Sequence, residues 1–468
     1  MVVAERRPPE PQLPRSVPGS GRAAGVSDAP SRPPGGPVYW LTVAMLAVMA
    51  LGAVIVLLVR VAANGDAAPP STWAYTAAAF AFLLAVAQGA PLVALVSRLG
   101  RGYWGVPLHR PADLLGLAGL VTVPLAILLL WQLPPMAGRA GIWAGWPGAP
   151  HVWDAIAVVL LALLGVASMV LSARPDLALH GQAVNIGPGR WIGSVRQWRV
   201  ISSGVELIGS LYLMLYVLVQ VLVASDLAIA LVPGWRSAIL PAYLGITGAQ
   251  AGLAATVLIA AGLRRSAHWR HAVDAATFSA CGKLLLAFSL LWFYLWWSEF
   301  LTYWYGNTPE ERWLLGLFMG GPYLGVFLAA FGLCFVLPAV LLVWNPVRNS
   351  VAGVTVAAAL TVAGILLDRM RLFVAAWSDL PVPTEHAPTL RFTPAPTAGE
   401  FMALPQAASP GLLDIVVVSG SVAAAGLLLL LALRWMPPVS VWELRRADAL
   451  MVERQVLETE VDVIGRPA

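Results

Sequence analysis

Long apolar runs separated by short polar segments dominate this chain. Each run reaches roughly the 20 residues that an α-helix needs to cross the hydrocarbon core of a bilayer. The pattern therefore predicts an all-α, polytopic membrane protein with about ten transmembrane helices. The predicted spans are residues 39–60, 73–97, 112–132, 153–172, 204–227, 237–263, 276–301, 318–343, 350–377 and 411–436.

The segments outside these runs divide the chain into three parts. Residues 1–37 are rich in Pro and Arg and cannot bury a core, which predicts a disordered cytoplasmic tail, with a cleaved signal peptide as the rival interpretation. Residues 38–438 form the transmembrane domain. Residues 439–468 form a cytoplasmic C-terminal tail that is able to hold one short amphipathic helix.

One connector is much longer than the others. Residues 378–410 are rich in Pro and Thr and contain no span of their own. A long connector of this kind is often functional or bound to a partner, and the alternative is a flexible linker.

Composition and charge agree with a membrane protein. The chain is 59% hydrophobic and 11% charged, whereas a soluble domain usually carries about 25% charged residues. The net charge of +5 comes from arginines in the polar segments, without the basic stripe that nucleic-acid binding requires. If the N-terminus is cytoplasmic, the cytoplasmic loops hold most of the loop arginines, so the positive-inside rule places both termini in the cytoplasm.

Metal-ligating residues are sparse. The two cysteines, Cys281 and Cys334, lie in separate spans and form no CxxC pattern, which argues against zinc, c-type haem and iron–sulfur clusters. None of the six histidines lies in the middle of a span, where haem ligands would be needed. We therefore expect no metal or covalently bound cofactor, and no complete enzyme in this chain alone.

Ionisable groups at membrane depth are the strongest functional signal, because they are costly there. One set lies toward the predicted outer side. Glu299 shares a helix face with the aromatic residues Trp292, Trp296 and Tyr303. This face suits either a pocket for an amphipathic ring molecule or a helix–helix seam. The other members of this outer set are Asp154, Asp368, Arg369 and Arg371.

A second set lies toward the predicted inner side and comprises Asp176, Glu206, Arg265 and Lys283, the only lysine in the chain. Gln88 lies between the two sets. Acids at two depths, with an apolar middle, are what two proton half-channels would need. The alternatives are membrane-edge charges that lock helices together and, for Lys283, a side chain that extends to the membrane surface.

Several short motifs resemble the polysulfide-reductase-type (NrfD-like) membrane subunits, and most closely those of alternative complex III, a quinol:electron-acceptor oxidoreductase. The strongest match is the stretch from Lys283 to Tyr305 followed by Pro309, Glu310 and Glu311. The other matching pieces are Arg98–Trp104 with Pro107, Arg110–Asp113, Trp153–Asp154, Pro175–Ala178, Gly193–Trp198 and Pro241–Tyr243.

The resemblance implies a core of two four-helix bundles in a bacterial cytoplasmic membrane. It also implies quinone or quinol as the ligand, and three partners: an iron–sulfur subunit, a multihaem cytochrome c subunit and a second NrfD-like membrane subunit. Haem and iron–sulfur clusters would belong to those partners. The candidate quinone site then comprises Gln88, Asp154, Trp296, Glu299, Tyr303, Asp368 and Arg369, and the candidate inner proton path comprises Asp176, Glu206 and Lys283.

One position departs from the family pattern. Quinol-active relatives tend to carry histidine or another ionisable group in the second helix, where this chain has Gln88. A glutamine can hydrogen-bond a quinone oxygen but cannot accept its proton. This departure favours a supporting or proton-conducting subunit of the quinol oxidoreductase. The rival hypotheses are a secondary transporter and a passive membrane anchor for redox subunits.

Overall fold

A computed structural model describes most of the chain. It covers residues 35–64, 69–100, 102–133, 146–179, 191–232, 234–266, 269–378, 404 and 406–449, and the backbone of 451–456 and 459–464. The predicted tail over residues 1–37 and the connector over residues 378–410 lie mostly outside the described ranges.

Ten helices in the described part are long and apolar enough to cross a membrane, which confirms the all-α, polytopic architecture. Their positions agree closely with the predicted spans. They are α1 Pro37–Ala63, α2 Pro70–Leu99, α3 Tyr103–Trp131, α4 His151–Ala178, α5 Val195–Leu231, α6 Leu240–Arg264, α7 Ala275–Gly306, α8 Leu324–Val343, α9 Val351–Val374 and α10 Leu412–Trp435.

Helix neighbours define two four-helix bundles, as expected. In the first bundle α2, α3, α4 and α5 pack in a ring, and in the second α6, α7, α8 and α9 do the same. The bundles meet where α6 lies against α2 and α5, and where α9 lies against α2. Helices α1 and α10 pair with each other, and α10 packs along α2 outside the two rings.

The contact between the bundles depends on glycine. A Cβ atom on Gly89 of α2 would collide with the backbone of Gly248 in α6, and one on Gly252 would collide with the backbone of Gly89. Small residues four apart let membrane helices approach backbone to backbone, and Gly248 and Gly252 provide that spacing. The two bundles are therefore held in direct contact near the middle of both helices.

Three spans contain a π-helical turn, at Leu84–Gln88 in α2, Gly332–Val336 in α8 and Met370–Val374 in α9. Such turns add a residue to a helical turn and are frequent at functional sites. Gln88 ends the first turn, and Asp368 and Arg369 directly precede the last. Between α7 and α8 lie the short helix Pro309–Leu315 and another π-helical turn, Gly316–Gly320.

The C-terminal segment forms a short helix, α11 Val441–Ala449, as the sequence predicts. It is followed by an antiparallel hairpin of β1 Met451–Val456 and β2 Thr459–Ile464, which the sequence does not predict. Helix α11 packs under the first bundle, where α2 and α4 end and α3 begins. We call this the basic end of the molecule, because Arg98 and Arg264 lie at the last turns of α2 and α6.

Candidate functional site

A closed ionic group lies in the second bundle, toward the opposite end from α11. The Asp368 carboxylate accepts a hydrogen bond of 2.8 Å from the Tyr243 hydroxyl and one of 2.7 Å from Nη2 of Arg371. Nη1 of Arg369 donates to its other oxygen at 3.1 Å, and Nη2 of Arg369 donates to the Thr247 hydroxyl. All five side chains are buried. We call this group the Asp368 cluster.

The sequence predicts that Asp368 and Arg369 each find a partner on another helix. Both do so on α6, through Tyr243 and Thr247. They also bond to each other, although adjacent residues on a regular helix point in different directions. The cluster contains one carboxylate and two guanidinium groups, which leaves an excess positive charge beside Arg371.

Glu299 is an acid within electrostatic range of that charge. Its carboxylate interacts electrostatically with Arg371 and is half-buried on α7. Oε1 of Glu299 lies 3.1 Å from the Tyr303 hydroxyl, which in turn accepts a 3.1 Å hydrogen bond from the Trp235 indole. We call Glu299, Tyr303 and Trp235 the Glu299 site.

Aromatic rings connect the Glu299 site to the Asp368 cluster. Trp296 stacks on Phe327, with ring centroids 5.6 Å apart, and on Trp292 at 6.4 Å. The guanidinium of Arg371 lies 5.4 Å from the centre of the Phe327 ring. The face predicted for Trp292, Trp296, Glu299 and Tyr303 therefore exists, and α8 and α9 complete it.

Three buried donors on this face have no acceptor in the part of the chain that the structure describes. They are the indole Nε1 of Trp292, the indole Nε1 of Trp296 and Nε of Arg371. Buried donors are nearly always satisfied in folded proteins, so an orphaned group needs an explanation. An acceptor that belongs to a ligand would provide one.

A second ionic group lies at the basic end, in the first bundle. Arg98 donates two hydrogen bonds to Asp113, of 3.2 and 2.8 Å, and Ser172 donates to the same carboxylate at 3.0 Å. Arg110 donates to Asp176 at 2.7 Å, and both of these side chains are fully buried. These residues come from α2, α3 and α4, so the group ties three helices together.

Helix α11 completes this basic-end cluster. The Ser440 hydroxyl and the Trp442 backbone N–H donate to the two oxygens of Asp176, at 3.2 and 3.1 Å. Nε of Arg98 donates to Oε1 of Glu443 at 3.1 Å, and Nδ1 of His109 lies 3.1 Å from Oε2. The segment that the sequence places in a separate tail is therefore part of a buried ionic network.

The charge of Glu443 follows from these contacts. Burial acts to raise the pKa of its carboxyl, but the neighbouring Arg98 and His109 outweigh burial, so the pKa lies well below its ordinary value. Glu443 is consequently an anion at neutral pH.

Gln88 lies between the two clusters and in the first bundle. The Tyr212 hydroxyl lies 2.7 Å from its side-chain oxygen and 2.6 Å from its backbone oxygen. Its amide nitrogen packs against Gly119 and has no acceptor among the described residues. Nearby, the Tyr216 hydroxyl donates to the Gly245 carbonyl at 2.9 Å. The sequence predicts Gln88 between the two sets of ionisable groups, and the structure places it there, in the first bundle and apart from the Glu299 site with which the family resemblance groups it.

The remaining predicted residues are dispersed. Asp154 is buried in the first turn of α4, at the same end as Glu299 but in the first bundle. The proposed inner trio of Asp176, Glu206 and Lys283 is not brought together. Asp176 is sealed in the basic-end cluster, whereas Glu206 on α5 and Lys283 on α7 are exposed on the surface of the helices. Helical spacing within one segment could not reveal which face the neighbours would cover.

Several residues of the two clusters are not among the predicted site residues. Tyr243, Thr247 and Tyr212 are uncharged and lie in apolar helices, so only tertiary contacts single them out. Arg98 and Asp113 do lie in two of the short motifs on which the family resemblance depends. In the sequence Glu443 is only one of several acids in the C-terminal tail, so no local signal singles it out. The residues beyond the predicted set that take part in the two clusters are Arg98, His109, Arg110, Asp113, Ser172, Tyr243, Thr247, Ser440, Trp442 and Glu443, and those that contact Gln88, lie near it or belong to the Glu299 site are Tyr212, Tyr216 and Trp235.

Comparison with known proteins adds no assignment. No model of a known protein family matches this chain, and no curated protein matches it either.

Proposed function

We propose that this chain is an integral membrane subunit of a quinol:electron-acceptor oxidoreductase, of the NrfD-like type found in alternative complex III. In this proposal it supports quinol oxidation and proton translocation in a bacterial cytoplasmic membrane. Iron–sulfur and multihaem cytochrome c partners would carry the electrons, and a second NrfD-like subunit would lie beside it. The motifs from Lys283 to Glu311 support the family assignment.

The observation that carries the proposal is the set of orphaned donors beside Glu299. A quinone headgroup is a flat ring with two acceptor oxygens, and an aromatic surface such as the one around Trp296 suits a ligand of this kind. The indole N–H groups of Trp292 and Trp296 and Nε of Arg371 provide donors for such oxygens. Glu299 provides the group that accepts a proton from a quinol hydroxyl. The residues that are present fit this ligand.

Gln88 has a different part in this proposal. Its side-chain oxygen is already engaged by Tyr212 and cannot take a proton from quinol. Proton exchange with quinol is therefore assigned to Glu299. Electrons from the quinol would pass to the metal centres of the partner subunits.

The placement of the two ionic clusters supports proton movement. The Asp368 cluster lies in the second bundle and the basic-end cluster in the first, near opposite ends of the molecule. Between them lie the hydroxyls of Tyr216 and Tyr212, and a hydroxyl can both accept and donate a proton. We propose that protons cross the domain diagonally, from one bundle to the other, through these phenols.

Replacement of Glu299 by Gln in the assembled complex tests the proposal. Glutamine keeps the size of the side chain but cannot exchange a proton, so either quinol-dependent turnover should fall, by roughly a hundredfold or more, or fewer protons should be moved per quinol. Glu310→Gln, on the short helix after α7, is the matched control and should behave like the wild type. Wild-type values for Glu299→Gln in both measurements would remove Glu299 from the mechanism.

A further inference from the structure

Two cationic side chains of the second bundle have no counter-charge in the part of the chain that the structure describes. Lys283 on α7 is exposed and forms no side-chain hydrogen bond or ion pair there. Arg348, in the loop after α8, is partly buried and donates only to neutral groups, the Leu342 carbonyl at 3.1 Å and the Asn345 side chain. Its Nε is buried without an acceptor among the described residues. A cation on a spanning helix is costly to leave unpaired, so an anionic ligand would stabilise this pair.

The contacts of α7 place Lys283 on the flank of that helix that faces α8. One helical turn before Lys283, the Ser279 hydroxyl donates to Oδ1 of Asn349, in the loop after α8, at 2.7 Å. Further along, Phe293 stacks on Phe335 of α8, with ring centroids 4.5 Å apart. Residues four apart lie on the same side of a helix, so Lys283 shares the side of Ser279. Its neighbours are therefore the end of α8 and the loop that follows it.

The same contacts fix the depth of Lys283, because α7 and α8 are antiparallel neighbours. Lys283 is ten residues nearer to the basic end than Phe293, which corresponds to about 15 Å along the helix. The same distance from Phe335 reaches Asn345, two residues beyond the end of α8. Lys283 is therefore level with the point where α8 leaves the membrane.

Arg348 lies beside the base of Lys283. A Cβ atom on Gly282 would be 3.0 Å from Cγ of Arg348 and 3.3 Å from its carbonyl oxygen. In an α-helix the Cα–Cβ bond tilts toward the N-terminus, which for α7 is the basic end. The long stem of Lys283 therefore directs its ammonium group toward the level of Ser279 and Asn349. Two positive charges, a hydroxyl and an amide lie together on this part of the surface.

An exposed indole lies at the same level. Trp344 directly follows α8 and is 65% exposed. Tryptophan is enriched where the hydrocarbon core of a bilayer meets the headgroups. On the side toward the bilayer centre, the exposed residues are apolar: Val340 and Val343 on α8 and Leu290 on α7. The two cations thus lie at headgroup level, next to a surface that suits acyl chains.

We infer that this end of the α7–α8 flank binds an anionic phospholipid. Lys283 binds the lipid phosphate, and the positive charge of Arg348 attracts it at longer range. Ser279 and Asn349 provide a hydroxyl and an amide for the other polar groups of the headgroup. The ligand is a lipid and not free phosphate, because the apolar surface beside the cations has a counterpart only in acyl chains. Binding of this lipid is independent of the quinol hypothesis.

Fluorescence quenching at the site tests the inference with the full-length protein in phosphatidylcholine vesicles. The reporter is a fluorophore on Val343→Cys, at an exposed position beside the site, and the native Cys281 and Cys334 are buried. Spin-labelled phosphatidylglycerol should quench the reporter at a lower mole fraction than spin-labelled phosphatidylcholine with the same chains. Lys283→Met removes the charge but keeps the length, so about five times more anionic lipid should be needed for equal quenching. Lys283→Arg should behave like the wild type.

Arg199→Met is the matched control, because Arg199 is an exposed arginine at the basic end that lies on α5, away from the site. It should leave quenching unchanged, and an excess of inorganic phosphate should not displace the lipid. The comparison of the two lipids on the reporter protein requires no change at Lys283, so it remains decisive if Lys283→Met does not fold. Equal quenching by both lipids, an equal loss in Arg199→Met and Lys283→Met, or displacement by inorganic phosphate would overturn the inference.

Discussion

Asp176 and Asp368 show what a carboxylate requires at membrane depth. Both are fully buried, and each accepts a 2.7 Å hydrogen bond from a guanidinium together with bonds from neutral donors. Removing a charge from water costs several kcal/mol, about as much as such contacts return. These pairs therefore contribute more to fixing the register between helices than to net stability.

This reasoning predicts the effect of breaking one pair. Asp176→Asn leaves the Arg110 guanidinium buried without its counter-charge and should lower the free energy of unfolding by about 3–5 kcal/mol. Thermal unfolding in detergent measures the change. The double variant D176N/R110M removes the uncompensated charge and should be more stable than D176N alone. A D176N variant as stable as the wild type would show that the pair is not closed.

At the scale of the element, α11 behaves as part of the membrane domain. Its Trp442 indole donates to the Ser172 carbonyl at 3.0 Å, and its ring lies 5.3 Å from that of Trp198 on α5. With the contacts of Ser440 and Glu443, the helix closes the basic end of the first bundle over Asp176. Among the described residues, Ser440 and Trp442 are the groups that contact Asp176 from this end.

The docking of α11 should depend on pH. The pKa of Glu443 is lower in the folded protein than in the unfolded chain, where it is about 4.3. Its contribution to docking is therefore complete above that unfolded value and is lost as the pH falls toward the lower, folded value. The hydrogen-exchange protection of residues 441–449, relative to the intrinsic exchange rate at the same pH, should therefore decrease below about pH 4.

The variant Glu443→Gln provides the comparison for this experiment. It cannot form the charge-assisted contacts with Arg98 and His109, so the protection of residues 441–449 should already be lower at neutral pH and should change less on acidification. If wild type and variant show the same pH profile, Glu443 does not hold α11 in place.

At the scale of the whole molecule, the ten candidate spans of the described part are even in number, so a chain that crosses the membrane with each of them would have both termini on one side. The arginine distribution favours the cytoplasm for that side. The short helix after α7 would then face outward, and α11 would face inward. This orientation determines which cluster exchanges protons with which compartment.

Thiol labelling of intact cells tests the orientation. A membrane-impermeant reagent should label Thr308→Cys, which lies between α7 and the short helix, and should not label Arg446→Cys until the cells are opened. The two native cysteines are buried, so the unmodified protein serves as the blank. The reverse labelling pattern would invert the proposed direction of proton movement.

The sequence alone determined the class of fold and the position of the spans. The free energy of transferring apolar side chains from water is a local property, and it can be read from each run of about 20 residues. The arrangement of the helices in two bundles is not a local property of the sequence. The family resemblance implied it, and contacts between helices, such as that of Gly89 with Gly252, define it in the structure.

The tertiary structure alone decided which polar residues meet. Spacing along α7 correctly grouped Trp296, Glu299 and Tyr303, because a single helix fixes their common face. It could not show that Lys283 faces outward while Asp176 is enclosed, since burial depends on the neighbours of a helix and not on its own sequence. The partners of Asp368 on α6 and of Asp176 on α11 are more than a hundred residues away along the chain, and only packing brings them together.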